Sequence, residues 1–209
     1  MSHQFRLHVS AALFVGLLAI SSGSLVAKEP AAANASAALS AIQISNFGRV
    51  SDSYYRGAQP EGRDYDALAR LGVKTIINLT SDDADPSEQR LTEQAGMRYV
   101  QIPMTTRKAP TPSQIEQFLA IVNDEAKQPV YVHCVGGKHR TGVMTAVYRM
   151  TALGWTGDRA FKEMKEYDYG PDFLHPEFKK FVYAYKSAVV VAAAAPVAAA
   201  VGPAVAAAK

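Results

Sequence analysis

Cys134 is the chain's only cysteine, and a single thiol excludes an intrachain disulfide framework. His, Cys and carboxylate residues do not cluster at metal-ligand spacing, so no metal is implied, and no cofactor motif is found either. Charge of one sign is also scarce. Against 22 Lys and Arg stand 19 Asp and Glu, a formal net charge of +3 that is dispersed and argues against a nucleic-acid partner. Internal repeats are absent. What remains is a chain of 209 residues, 48% hydrophobic, which suffices for one domain with tails.

The tails are compositionally distinct. Residues 1–27 read as a signal peptide: Arg6 and two histidines open it, Val9 to Ile20 is apolar, and small residues lead to a cut after Ala27. Leu25 is not ideal three places before that cut, and an uncleaved anchor is the alternative, although the apolar run is short for a span. With no lipobox cysteine, the expectation is an exported, periplasmic protein, with secretion as the alternative. Residues 28–43 are an Ala/Ser-rich lead-in. Residues 187–209 are an Ala-rich low-complexity tail broken by Pro196, Gly202 and Pro203; weak membrane anchoring by this tail is the competing reading.

Residues 44–186 alternate two periodicities. Arg49-Val50 and Tyr54 to Arg56 suggest short opening strands, and Pro60-Glu61 starts a helix that Gly72 ends. Val73 to Leu79 is a nearly unbroken apolar strand, as expected where both faces are covered. A helix from Pro86 to Gly96, a strand from Met97 to Ile102 and a helix opening at Pro112 follow. Val130 to His133 forms the next strand, a helix starts near Thr141, and helices over Gly157–Tyr167 and Pro176–Ser187 complete the domain. This order predicts an α/β fold around a mostly parallel sheet, with a site beyond the carboxyl end of a central strand.

The chemistry concentrates between that strand and helix, in His133-Cys134-Val135-Gly136-Gly137-Lys138-His139-Arg140-Thr141-Gly142. A strand delivers a thiol to a tight loop whose N–H groups, with the helix start, can hold a tetrahedral oxyanion. Arg140 adds a planar fork for two phosphate oxygens. The same positive field favours thiolate over thiol, so Cys134 is the candidate nucleophile. Val135, Gly136, Gly137, Lys138, His139 and Arg140 are the candidate phosphate-binding residues. Thr141 is placed to hydrogen-bond the departing thiolate, or to act as a plain helix N-cap. His133 either orients the loop or tunes the thiol. The bland alternative, that Cys134 is a small buried hydrophobe, leaves three consecutive cationic or near-cationic residues without an anion.

His133-Cys134-x-x-Gly137-x-x-Arg140-Thr141-Gly142 resembles the signature loop of cysteine-dependent tyrosine and dual-specificity phosphatases. Gly137 to Gly142 is most similar to the plant and fungal atypical dual-specificity phosphatases and their bacterial relatives. Upstream, Asn46-Phe47-Gly48-x-Val50, Tyr55 to Pro60 and Leu71 to Leu79 fall in that subgroup's order, so the likeness covers roughly residues 44–186. It implies a tyrosine-phosphatase-like three-layer fold and metal-independent hydrolysis of phosphate esters or anhydrides through a phosphocysteine.

Most tyrosine phosphatases carry an acidic residue in a loop before the catalytic strand to protonate the leaving group. Residues 103–112 contain no Asp or Glu. Asp82, Asp83 and Asp85, just past the Val73–Leu79 strand, are candidate acids, against the alternative of a solvated acidic turn. His139 is another, against a structural or phosphate-binding role. The last option is no dedicated acid, which restricts the enzyme to good leaving groups such as phenols and phosphoanhydrides. Expected substrates are a phosphorylated protein or a small polyanionic phosphate, the latter suited by Lys138, His139, Arg107 and Lys108. The resembling subgroup is associated with inositol pyrophosphates. A phosphate-binding pseudophosphatase and a rhodanese-like sulfur transferase are the rivals. The Arg140-Thr141-Gly142 ending suits phosphate better than sulfane sulfur.

Overall fold

In a computed structural model the chain is described over residues 39–40, 42–81 and 83–186; the expected signal peptide, most of the lead-in, Asp82 and the Ala-rich tail lie outside these residues. The strands are β1 (Gly48–Ser51), β2 (Tyr54–Gly57), β3 (Thr75–Asn78), β4 (Arg98–Gln101) and β5 (Val130–His133). They form one sheet in the order β1-β2-β5-β3-β4, parallel except for the antiparallel edge strand β1. The strand carrying Cys134 at its end is therefore central, with β2 and β3 on either side.

Alternation along each strand divides the core into two halves. Ile76 and Tyr131 point to one face, where helices α1 (Asp64–Arg70) and α2 (Glu88–Gln94) supply Tyr65, Leu68 and Leu91. Ile77, Val130 and Val132 point to the other. There α3 (Pro112–Val122), α4 (His139–Ala152), α5 (Gly157–Glu166) and α6 (Pro176–Ala184) pack through Phe118, Val143, Met144, Phe161 and Phe178. The result is the expected three-layer α/β fold, with α4 buried on nearly every side.

Several expected boundaries move for local reasons. The helix expected from Pro60 starts at Asp64, because Gly62 is left-handed (φ 49°) and Asp64 accepts the Glu61 N–H across a turn. The one expected from Pro86 starts at Glu88, because the Asp85 carboxylate holds the Ser87 N–H at 2.8 Å. Tyr185 is extended (ψ 127°), which ends α6 three residues before Ser187. At Pro112 the sequence signal is direct: Thr111 and Gln114 make a reciprocal capping box.

Candidate active site

Cys134 follows the last residue of β5 and is buried at the floor of the loop that runs into α4. Three successive loop carbonyls are tied outward. The Val135 oxygen accepts from the Gln59 N–H at 3.0 Å, the Gly136 oxygen from Asn46 Nδ2 at 2.9 Å, and the Gly137 oxygen from Arg56 Nη2 at 2.5 Å. In a trans peptide the next N–H points opposite to the carbonyl. The amides of Gly136, Gly137 and Lys138 therefore turn to the concave side of the loop, where an oxyanion would sit. Gly137 is indispensable to this shape. Its φ is +67°, and a Cβ there would come within 2.5 Å of the Gly57 carbonyl carbon.

Arg140 lies in the first turn of α4, with its side chain almost wholly buried. Its two terminal nitrogens grip the Asp83 carboxylate at 2.8 and 2.7 Å, and Nη1 also reaches the Met104 carbonyl at 3.2 Å. Burial works against the guanidinium charge, but Asp83 and Cys134 outweigh it and hold Arg140 above its ordinary value. In return, the Arg140 hydrogen bonds pull Asp83 below its own. The fork expected to bind phosphate is thus occupied by a carboxylate. Thr141 lies three residues past the N-cap, which is Lys138; its hydroxyl is fully buried with no hydrogen-bond partner.

A cleft of about 600 Å³ opens beside the loop, with Ala58, Gln59, Val135, Gly136 and Lys138 on its wall. Its rim carries Glu61, Asp64, Asp83, Asp85 and Asp168. Lys138, the cation on the wall, lies 3.5 Å from Asp168. Arg107 and Lys108 are exposed and do not line the cleft, contrary to the expectation of a basic facing loop. Asp85 is engaged by the Ser87 backbone and hydroxyl, which hold its carboxyl below the usual value.

His139 is not turned into the cleft. Its Nε2 meets the Tyr169 carbonyl at 3.0 Å, and its ring packs against His175 with centroids 3.8 Å apart. Burial holds the imidazole below its ordinary value, which makes it a poor proton source at neutral pH. As the first residue of α4, it can serve the loop through its backbone N–H instead.

Some supporting groups were not singled out from sequence. Arg56, Asn46 and Gln59 hold the loop carbonyls, and all three lie within the upstream strings noted above. A lone arginine amid aromatic residues on a buried strand was the available signal for Arg56. Behind Cys134, His133 Nε2 approaches Glu88 of α2 at 2.6 Å, both fully buried. Despite the short distance, neither atom makes a hydrogen bond in this geometry. Asn78 donates to the other Glu88 oxygen at 2.5 Å. Among the described residues, no group of three or more potential ligands could hold a metal ion.

Comparison with known proteins points the same way. A family model described as a DSP-PTPase phosphatase fused to NAD+ kinase matches residues 40–174. The dual specificity protein phosphatase TpbA of Pseudomonas aeruginosa strain UCBPP-PA14 is 32% identical over 168 residues, 80% of this chain and 74% of that protein. The catalytic core of SIW14, named in Saccharomyces cerevisiae as an inositol diphosphatase, matches with a TM-score of 0.62 at 26% identity, covering 73% of this chain and 92% of that one. A TpbA variant in complex with phosphotyrosine matches with a TM-score of 0.59 at 26% identity, covering 70% of this chain and 86% of that one.

Proposed function

This chain belongs to the cysteine-dependent dual-specificity phosphatases, and we propose that it hydrolyses phosphate monoesters through a phosphocysteine at Cys134, with Asp83 as the general acid. The observation that carries the reading is the loop in which three successive carbonyls are tied outward around a buried cysteine and Arg140.

The Cys134 sulfur attacks phosphorus, and the phosphorus–oxygen bond of the leaving group breaks. Loop amides and Arg140 hold the equatorial oxygens as charge builds on them. Arg140 must first release Asp83, because its fork cannot serve a carboxylate and a phosphate together. The freed carboxylate then loses its cation and gains an anionic neighbour, and both changes raise its proton affinity. Substrate binding thereby loads the acid that the 103–112 segment lacks. Asp83 gives this proton to the leaving oxygen, then takes one back from the water that cleaves the phosphocysteine. Inorganic phosphate leaves, and the thiolate returns with the Thr141 hydroxyl to stabilise it. Asp82, outside the described residues, is the remaining alternative acid.

The acidic rim bears on substrate. SIW14 is named for inositol diphosphates and TpbA is solved with phosphotyrosine. Five rim carboxylates against Lys138 repel a polyanion and suit a single phosphate on a neutral or cationic carrier, such as phosphotyrosine in a basic peptide. A non-catalytic binding role is not favoured, since Cys134, Arg140 and Thr141 are all in place.

The deciding experiment is hydrolysis of p-nitrophenyl phosphate in chelator and reductant, beside Cys134→Ser. Activity that disappears in the variant supports the covalent mechanism. A folded, reduced wild type that does nothing overturns it, because this leaving group needs little acid help. Export is proposed on the pattern of residues 1–27 alone. Cell fractionation with and without that segment tests it; protein that stays in the cytoplasm with the segment intact would rule export out.

A further inference from the structure

Arg56 takes no part in the phosphate chemistry above, yet it is fully buried against the catalytic loop. In the sheet it lies opposite Val132, and its neighbour Gly57 lies opposite His133. Its guanidinium carbon sits 3.8 Å from the centroid of the Tyr167 ring, and Nη2 donates to the Gly137 carbonyl. Nε and Nη1 have no hydrogen-bond partner. A buried cation with so few hydrogen bonds is costly unless an anion compensates it.

The groups around it narrow the choice of anion. Glu163 of α5 has both oxygens on Arg149 of α4, at 2.6 to 3.2 Å. Tyr54 bonds Thr145 at 3.0 Å, and burial pushes its phenol far above the usual range, so it stays neutral. Tyr167 presents a ring face. His133 is against Glu88, and Arg140 holds Asp83. Within the loop itself, the group able to carry negative charge on this side of the sheet is the Cys134 sulfur, two residues past Val132 and in the same core cluster.

We propose that Arg56 is the buried counter-ion of the Cys134 thiolate and, through the Gly137 carbonyl, the positioning residue that keeps the loop amides turned inward. The proposal rests on the phosphocysteine reading. It adds a second cation to the nucleophile: Arg140 serves the oxygens of the substrate and also acts on the sulfur, whereas Arg56 serves the sulfur alone. In the first step Arg56 keeps the nucleophile ionised. In the second it favours departure of the same thiolate from phosphorus. Burial lowers the proton affinity of Arg56, and Tyr54, Tyr167, Glu163 and Cys134 partly restore it, consistent with coupling across the loop.

The test is alkylation of the reduced full-length protein by iodoacetamide across pH, with Cys134 as its only thiol. Arg56→Met removes the charge at similar length, and Arg56→Lys keeps it. We expect Arg56→Met to react about tenfold more slowly than wild type near pH 6, with the gap closing by about pH 10, and Arg56→Lys to recover most of the rate. A folded Arg56→Met whose curve overlays the wild type, or which is slowed equally at every pH, overturns the proposal. Should Arg56→Met not fold, Cys134→Ser supplies the reciprocal reading. It should be less stable than wild type to urea near pH 8, with the difference fading near pH 5. An equal difference at both values overturns the proposal. Hydrolysis of p-nitrophenyl phosphate by the wild type, run alongside, separates this outcome from failure of the phosphatase reading.

Discussion

Asp83 and a bound phosphate compete for the same two nitrogens of Arg140, at 2.7 and 2.8 Å from the carboxylate. Removing the carboxylate charge should therefore have opposite effects on binding and turnover. Asp83 is half exposed, so its pair with Arg140 is worth less than about 1 kcal/mol. Asp83→Asn should bind vanadate up to about fivefold more tightly. Its turnover of alkyl phosphates should fall about 10²-fold or more, and that of p-nitrophenyl phosphate far less. Equal losses on both substrates, or weaker vanadate binding, would argue against Asp83 as acid and competitor. The sign for stability is fixed too. A carboxyl held below its ordinary 3.8 contributes at neutral pH and loses that contribution only as pH falls through its lowered folded value. Gly137→Ala tests the cradle itself. Both the left-handed backbone and the 2.5 Å approach to Gly57 oppose a side chain, so we expect a loss of about 1–3 kcal/mol in urea unfolding and loss of measurable vanadate binding by calorimetry.

The elements that bear the site do so through a buried polar chain that crosses the sheet. Asn78 at the end of β3 holds Glu88 at the start of α2, and Glu88 faces His133 at the end of β5. Glu88→Ala takes an acceptor from Asn78 and the carboxylate from beside His133 in a dry interior, and should cost about 1–3 kcal/mol in urea unfolding; a loss below about 0.5 kcal/mol would mean the chain is not structural. None of this could be read beforehand, because Glu88 in sequence is an ordinary acidic residue in a helical first turn. The Val130–His133 strand was legible to the residue, since the apolar run Val130 to Val132 leads through His133 straight into a glycine loop. The Pro112 start was legible for the same kind of local reason, a capping box. At Asp64 and Asp85 the carboxylate closes a turn on a backbone N–H ahead of the helix, and there the nearby proline gave a start two to four residues early. In the loop the types and order of Cys134, Gly137 and Arg140 were informative because chemistry dictates them. The direction of the His139 ring was not, since it is set by Tyr169 and His175 some thirty residues later.

At the scale of the whole molecule, a small net charge hides a divided one. The formal value is only +3, yet Arg56, Arg140 and Lys138 gather at the loop while Glu61, Asp64, Asp83, Asp85 and Asp168 ring its mouth. Cations at the floor attract the transferring phosphate, and anions at the rim repel further negative charge at distances where salt screens the effect. Discrimination among substrates should then lie outside the loop and fade with ionic strength. Glu61→Lys combined with Asp168→Asn weakens this bias by three charges without touching the cradle, leaving Asp64, Asp83 and Asp85 on the rim. Asn is chosen because position 168 has a positive φ of 58°, which Asn tolerates better than Lys. With phosphotyrosine peptides that differ only in flanking charge, wild-type kcat/KM should favour Lys-flanked over Glu-flanked sequences by about three- to tenfold at low salt, and the double variant should level or invert that ratio. Near 1 M salt the two proteins should converge, because the screening length shrinks to about 3 Å. A wild-type preference for acidic flanks, or a ratio that ignores salt, would mean that the rim does not select the substrate.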